Sequence, residues 1–272
     1  HYLPLAAETA EENVEFVHQL RVSTRRARAA MDLYEELLPP KRARRMNNKL
    51  NRIRDAAGEA RDCDVLIGRL TGNSDLNGLN GQVERILKRL RKQRRAAQPP
   101  IEEIFERLAY KQKFHRQGKQ LLSRIRPRGT KSALNSGNPK FRQWAPAAFA
   151  PIVHRFLDAT PGAEHRLEDL HRFRIRGKGL RYAMELLSAA YAPEFRDELY
   201  PKIGELQEKL GEVNDHSSAI TRYTRYVEES THKSERKFFR RLLEQEEQRA
   251  AALQAEFWKW WKPEFHNDIA AQ

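Results

Sequence analysis

One cysteine, Cys63, stands in the whole chain. A lone thiol excludes an intramolecular disulfide and any zinc site built from several cysteines, and it suits a reducing compartment such as the cytoplasm. Apolar runs are short. No stretch approaches the roughly 20 consecutive apolar residues that span a bilayer, so no membrane association is expected. The opening HYLPLAAETAEENVEF lacks the basic-then-apolar order of a signal peptide. It starts on His1 rather than Met, the mark of a fragment or a processed chain. Gly-rich phosphate loops are missing, and no set of His, Asp and Glu has metal-ligand spacing, so no metal or other cofactor is expected. Acid is short as well: 37 Asp and Glu stand against 51 Lys and Arg, a formal charge of +14. Such a surplus favours a polyanionic partner without saying which.

The surplus is lopsided. Residues 1–136 hold 29 Lys/Arg and 16 Asp/Glu, net +13, whereas residues 137–272 hold 22 and 21, net +1. Nearly every long segment has helical periodicity and alternating β-branched runs are few, which predicts an all-α fold. Helices are expected at 10–37, 41–70, 82–95, 100–125, 146–158, 165–191, 194–213, 216–230 and 233–261. The breaks are a polar loop, TGNSDLNGLNG at 71–81, the QPP at 98–100, and RPRGTKSALNSGNPK at 126–140, which reads as a linker.

Two segments repeat each other. HQLRVSTRRARAAM at 18–31 and HRFRIRGKGLRYAM at 171–184 align with a shift of 153. The same shift pairs Pro40 with Pro193, Lys49 with Lys202, Gly58 with Gly211 and Asp62 with Asp215. From 18 to 64 it gives eleven identities in 47 positions, where random pairing gives roughly three. An internal duplication follows, with a first helical unit at 1–126, a linker at 127–145 and a second unit at 146–272. Related units commonly pack about a pseudo-twofold axis, so equivalent faces are expected across a shared cleft.

On a helix, His18, Arg21, Arg25 and Arg28 fall within about 80° of arc; His171, Arg174, Lys178 and Arg181 repeat the stripe. Val17, Leu20, Met31 and, in the second copy, Leu170, Phe173, Leu180 and Met184 lie on the other side, so each helix packs by one face and presents cations by the other. Like charges at such spacing repel by a few tenths of a kcal/mol per pair, and phosphate oxygens, bound in bidentate fashion by guanidinium groups, offset that. Arg45, Lys49 and Arg52 on the next helix, and Lys202 and Lys209 on its counterpart, are expected to add cations to the same cleft. Asp62 and Asp215 either cap a following segment or hold an arginine. QVERILKRLRKQRR at 82–95 carries seven cations and one acid and reads as a solvated outer helix.

The quoted segments, with RDCDV in the first half and LGEVNDHS in the second, resemble the CHAD family, the conserved histidine α-helical domain. The resemblance covers most of the chain. It implies two pseudo-symmetric antiparallel helical bundles around a basic central groove or pore that binds inorganic polyphosphate. It also implies occurrence beside triphosphate-tunnel domains and association with polyphosphate granules. Departures from the pattern are Lys178 in place of an arginine, Gly177 and Gly179 loosening the second stripe's helix, and Tyr182, whose phenol either reaches a phosphate oxygen or packs. A helix, PAAFAPIVHRFLDA, precedes the second stripe, while the 17 residues ahead of His18 leave little room for an equivalent.

Two other functions are consistent with the charge. One is an enzyme using His18 or His171 as phosphate acceptor or metal ligand. The other is RNA or DNA binding, which the 82–95 helix favours. Single-strand binders interleave aromatics with cations to stack bases, and the stripes hold none except Tyr182.

Overall fold

A computed structural model describes residues 1–9, 13–73, 80–109, 112–123, 141–162 and 167–261. Most of the 71–81 loop and the whole of the 126–140 linker lie outside the described residues. Among the described residues no strand occurs, and the chain separates into two compact units, His1–Asn138 and Pro139–Gln272.

The first unit contains α1 (Tyr2–Glu8), α2 (Glu15–Leu33), α3 (Pro40–Ala56), α4 (Gly58–Thr71), α5 (Asn80–Ala96), α6 (Pro99–Ala109) and α7 (Lys113–Leu122). Pro40 opens α3, where its missing N–H costs nothing and its fixed φ suits a first turn. The helix expected at 41–70 is two helices. The chain turns at Ala57, whose ψ of 3° leaves the helical range and whose side chain is fully buried. The helix expected at 100–125 is also two, α6 and α7, with Gln112 in the left-handed region at φ 50° just ahead of α7. Periodicity cannot see such a break, because the apolar phase resumes after it.

A further departure lies at the start. The residues ahead of α2 do form a helix, α1, and Ala6 and Ala7 enter the core with Val17, Leu20, Ile53, Ala57, Ala60, Ile101, Ile104 and Leu108. A second cluster joins Met31, Ala43, Met46, Leu50 and Leu121, with Tyr34 and Phe114 against it. Each fully buried large side chain contributes about 1.5–3 kcal/mol of apolar transfer, which is why a chain this charged still folds.

The second unit contains α8 (Phe141–Leu157), α9 (Leu167–Leu187), α10 (Tyr200–Glu229) and α11 (Lys233–Trp260). Residues 141–145, expected in a linker, are the first turn of α8. The two helices expected at 194–213 and 216–230 are one, α10, preceded by a single π turn at Phe195–Leu199. Gly211 does not interrupt it. Ile203, Leu206, Leu210, Val213, Ala219, Tyr223 and Tyr226 are buried along its length, and α11 runs back along it as the other arm of a hairpin. Aromatic stacking closes the core: Phe156 lies on Phe173 at 4.8 Å, Tyr226 on Phe239 at 4.9 Å, and Trp261 meets Phe173 edge-on at 5.1 Å.

Gly177 was expected to loosen α9. Instead it allows a close approach: a Cβ there would lie 2.2 Å from Gln207 Nε2 of α10 and 3.4 Å from the ring of Phe156.

Candidate functional site

Packing fixes the face that α2 offers. Val17, Leu20, Thr24, Met31 and Leu33 are buried, and the opposite side carries His18, Arg21, Arg25 and Arg28, all half-buried. Arg21 is not free for a ligand alone. Its Nη1 donates to the Arg54 carbonyl at 2.9 Å, satisfying one of the last carbonyls of α3. Burial lowers its pKa from the ordinary arginine value, and Asp62 opposes that shift. His18 is held below its ordinary value by burial first and by Arg61 next, with Glu15 opposing and Arg25 and Arg21 adding. A neutral imidazole among cations gains charge readily once an anion arrives. Arg28 keeps a buried Nε without a hydrogen-bond partner among the described residues.

In the second unit α9 buries Leu170, Phe173, Leu180, Ala183, Met184 and Leu187. His171 is exposed, and its Nδ1 lies 2.9 Å from Asn214 Oδ1. An amide oxygen only accepts, so Nδ1 carries the proton and Nε2 is left as the other ring position. Arg174 lies 4.0 Å from Asp215 with its side chain 15% exposed. Arg181 is held by Glu185 at 3.5 Å and donates to the Tyr200 hydroxyl at 3.4 Å. That hydroxyl in turn donates to Glu185 at 2.7 Å. Burial raises the Tyr200 pKa, and the Glu185 carboxylate raises it further. Lys178 and Lys202 are half-buried. Lys209 spends its ammonium over Trp260, 5.1 Å from the ring centroid.

Of the two roles open to Tyr182, packing is the one observed. Its side chain is 4% exposed and the Arg181 guanidinium lies 5.2 Å from its ring, so the phenol is part of the wall behind the stripe and leaves the set of ligand-facing residues.

Residues at corresponding positions, 153 apart, act on the two stripes. His18 meets the charge of Arg61 where His171 meets Asn214. Arg21 meets Asp62 where Arg174 meets Asp215. What the two units share is the arginine facing an aspartate from the first turns after Gly58 or Gly211; His171 is hydrogen-bonded there, whereas His18 lies in the repulsive field of Arg61. Of the roles read for Asp62 and Asp215, holding an arginine is the one these contacts support. Arg61 and Asn214 were not singled out in the sequence, although the alignment of GEARDCD with GEVNDHS places them opposite each other.

Arg45, Lys49 and Arg52 do not gather with the stripe of α2. The groups acting on Lys49 are Lys113, Arg45 and Arg52, whereas those acting on Arg21 are Arg25, Arg54, Arg61 and Asp62. α3 instead turns these three cations towards α7, and together with Asn48, Lys113 and Gln117 they line a pocket of about 350 Å³.

The 82–95 helix also differs from a fully solvated one. Arg94 is buried, its Nε 2.7 Å from Asp64 of α4 with side chains 10% and 2% exposed. It also donates to Gln98 at 3.0 Å, and Gln98 donates to the carbonyls of Ala6 and Ala7. Arg91, Lys92 and Arg95 are exposed, with Arg91 paired to Glu84 at 3.1 Å. Among the described residues no cluster of three or more His, Cys, Asp or Glu could hold a metal ion, and no described helix is long and apolar enough to cross a membrane.

The family profile of the CHAD domain matches residues 4–224. The chain belongs to the CHAD family. A crystal structure of the CHAD domain from the plant Ricinus communis superposes with a TM-score of 0.65 at 20% identity, covering 99% of this chain and 84% of that one. At that identity the likeness shows the fold. No curated protein matches the sequence. Both stripes of this CHAD domain, His18 to Arg28 and His171 to Arg181, lie inside the matched residues.

Proposed function

We propose that this CHAD domain binds inorganic polyphosphate without hydrolysing it, through the cation stripes of α2 and α9. The observation that carries the reading is a repeated arginine–aspartate pairing: in each unit the arginine one turn after the stripe histidine faces an aspartate four residues past a glycine, Arg21 with Asp62 and Arg174 with Asp215, although the second half of the chain has almost no net charge to explain a basic stripe. Polyphosphate supplies closely spaced anions that guanidinium groups bind in bidentate fashion. The stripes are unequal. Arg174 and Arg181 already face Asp215 and Glu185, so the α2 stripe contributes the larger share of affinity.

A common basic groove for both stripes belongs to this proposal and has its own readout: one chain bound per protein with both stripes required, against two bound independently. Attachment to polyphosphate granules in the cytoplasm and action beside a triphosphate-tunnel domain extend the same reading.

Nucleic-acid binding is the second reading, favoured by the exposed cations of α5. It is weakened by the commitment of Arg94 to Asp64 and by the lack of base-stacking aromatics on α5. Calorimetric titration with polyphosphate of defined length, beside RNA of matched charge at fixed salt, tests the proposal. Tighter binding of polyphosphate, abolished by Arg25→Ala with Arg28→Ala, supports it. Equal or tighter binding of RNA overturns it, and phosphate release at a catalytic rate with divalent metal overturns the non-hydrolytic part.

A further inference from the structure

The α3–α7 pocket of the first unit is chemically unlike the stripes. Arg45, Lys49 and Arg52 rise from α3 at i, i+4 and i+7, and Lys113 and Gln117 from α7 at i and i+4, so one side of each helix faces the cavity. Asn48 adds an amide. Among the described residues every charged group acting on Lys49 is a cation. Its amine nitrogen is out of solvent contact and has no hydrogen-bond partner among them. An ammonium with no acceptor, packed among three other cations, is an arrangement that a fold has no reason to keep for stability, since both the lost hydration and the mutual repulsion oppose it.

The duplication sharpens the point. Shifted by 153, Lys49 corresponds to Lys202, but Arg45 corresponds to Glu198 and Arg52 to Glu205. The second unit thus has acids where the first has the flanking cations, and the pocket is not a by-product of the repeated framework. Lys113 lies at the first position of α7, where the partial positive charge of a helix start adds to its own.

We infer that the cavity formed by Arg45, Lys49, Arg52, Lys113 and Gln117 is a separate binding site for a short, compact oligophosphate of the tripolyphosphate class. Four cations suit an anion carrying several charges on few atoms. A volume of about 350 Å³ lies at the small end of ligand pockets, which run from about 300 to 1,000 Å³. The two amides, Asn48 and Gln117, donate to bridging or terminal oxygens without adding charge. Among the described residues no aromatic side chain lines the cavity, so a nucleobase finds no stacking surface on them. The choice of phosphate follows the reading of the stripes, but the site stands on different helices and can fail separately.

Isothermal titration of the full chain with tripolyphosphate, ATP and a long polyphosphate tests this. The variant is Lys113→Ala with Gln117→Ala; Lys113 is exposed and Gln117 half-buried on α7, and circular dichroism checks the fold. The expected result is at least a tenfold loss of tripolyphosphate affinity, with long-chain binding through the stripes little changed. Arg25→Ala with Arg28→Ala should do the reverse. Lys113→Glu, a charge reversal, should abolish tripolyphosphate binding if the alanine pair is disputed on folding grounds. Unchanged tripolyphosphate affinity in the Lys113 variants overturns the inference, as does failure of the wild-type chain to bind tripolyphosphate while it binds long polyphosphate. Markedly tighter binding of ATP than of tripolyphosphate overturns the inorganic assignment in favour of a nucleotide. Loss of long-polyphosphate binding in every form instead sinks the stripe reading and leaves the pocket result standing on tripolyphosphate alone.

Discussion

Arg94→Met should be the most damaging single change on α5, although six other cations share its segment. The Asp64 carboxyl beside it is 2% exposed and its Oδ1 accepts from Arg94 Nε at 2.7 Å. Removing the guanidinium leaves a buried charge uncompensated, which costs about 3–5 kcal/mol, while methionine keeps most of the side-chain volume and so adds little cavity penalty. Gln98 also loses the donor at its Oε1 and with it part of the restraint that positions its contacts to α1. The loss corresponds to on the order of 10 °C in Tm.

The pH dependence gives the mechanism away. Burial raises the folded-state pKa of Asp64, with Arg94 pulling it back down. A raised folded pKa means a contribution that is present below the unfolded carboxylate range and lost as pH rises through the folded value. Without Arg94 the folded value climbs further, so the deficit against wild type is largest at neutral pH and narrows as pH falls and Asp64 takes up its proton. Urea midpoints measured from pH 7.5 down to 4.5 read both quantities. A loss under about 1 kcal/mol, or a deficit that does not change with pH, refutes the reasoning. Arg94→Met combined with Asp64→Leu should recover most of the loss, because no unpaired charge remains.

Lys49→Met should raise stability by about 1–2 kcal/mol by removing a buried donor with no partner, and the gain should shrink at high salt as screening weakens the repulsion from Lys113, Arg45 and Arg52; melting curves at two ionic strengths check it. His18 has its pKa lowered by burial and Arg61, so polyphosphate binding should take up protons and strengthen as pH falls below about 6.5. In the free protein the same depression makes stability fall as pH drops through the folded value. His18→Gln should flatten both profiles, read by calorimetry in buffers of different ionisation enthalpy. Gly177→Ala should gain less than alanine's full helix-propensity advantage of about 1 kcal/mol, because its Cβ would sit 2.2 Å from Nε2 of Gln207, the flexible end of a side chain that has to swing aside. In a Gln207→Ala background the full gain should appear, and additive behaviour in denaturation would refute the close approach.

The all-α class was legible because an apolar stripe recurring with the helical period must be buried, and that is a property of neighbouring residues alone. The same local rule marked α2 and α9 as helices with one packed and one cationic face. It could not find the turn at Ala57, since the pattern keeps helical phase across it, and it divided α10 at the polar Asn214 and Asp215, where burial of Val213 and Ala219 on either side shows the helix continuing. The fate of each cation was beyond it altogether. Arg94 and Arg95 are neighbours in sequence with the same chemistry, yet one is sealed against Asp64, 30 residues away, and the other is exposed. Lys49 and Arg21 were both assigned to one cleft, and only tertiary contacts separated them, Lys113 of α7 acting on Lys49 while Asp62 and Arg61 of α4 act on Arg21. A charge's worth depends on dielectric and on partners within a few ångströms, and the chain brings those partners from dozens of residues away, so tertiary structure alone decides which of the basic residues are free to meet an anion.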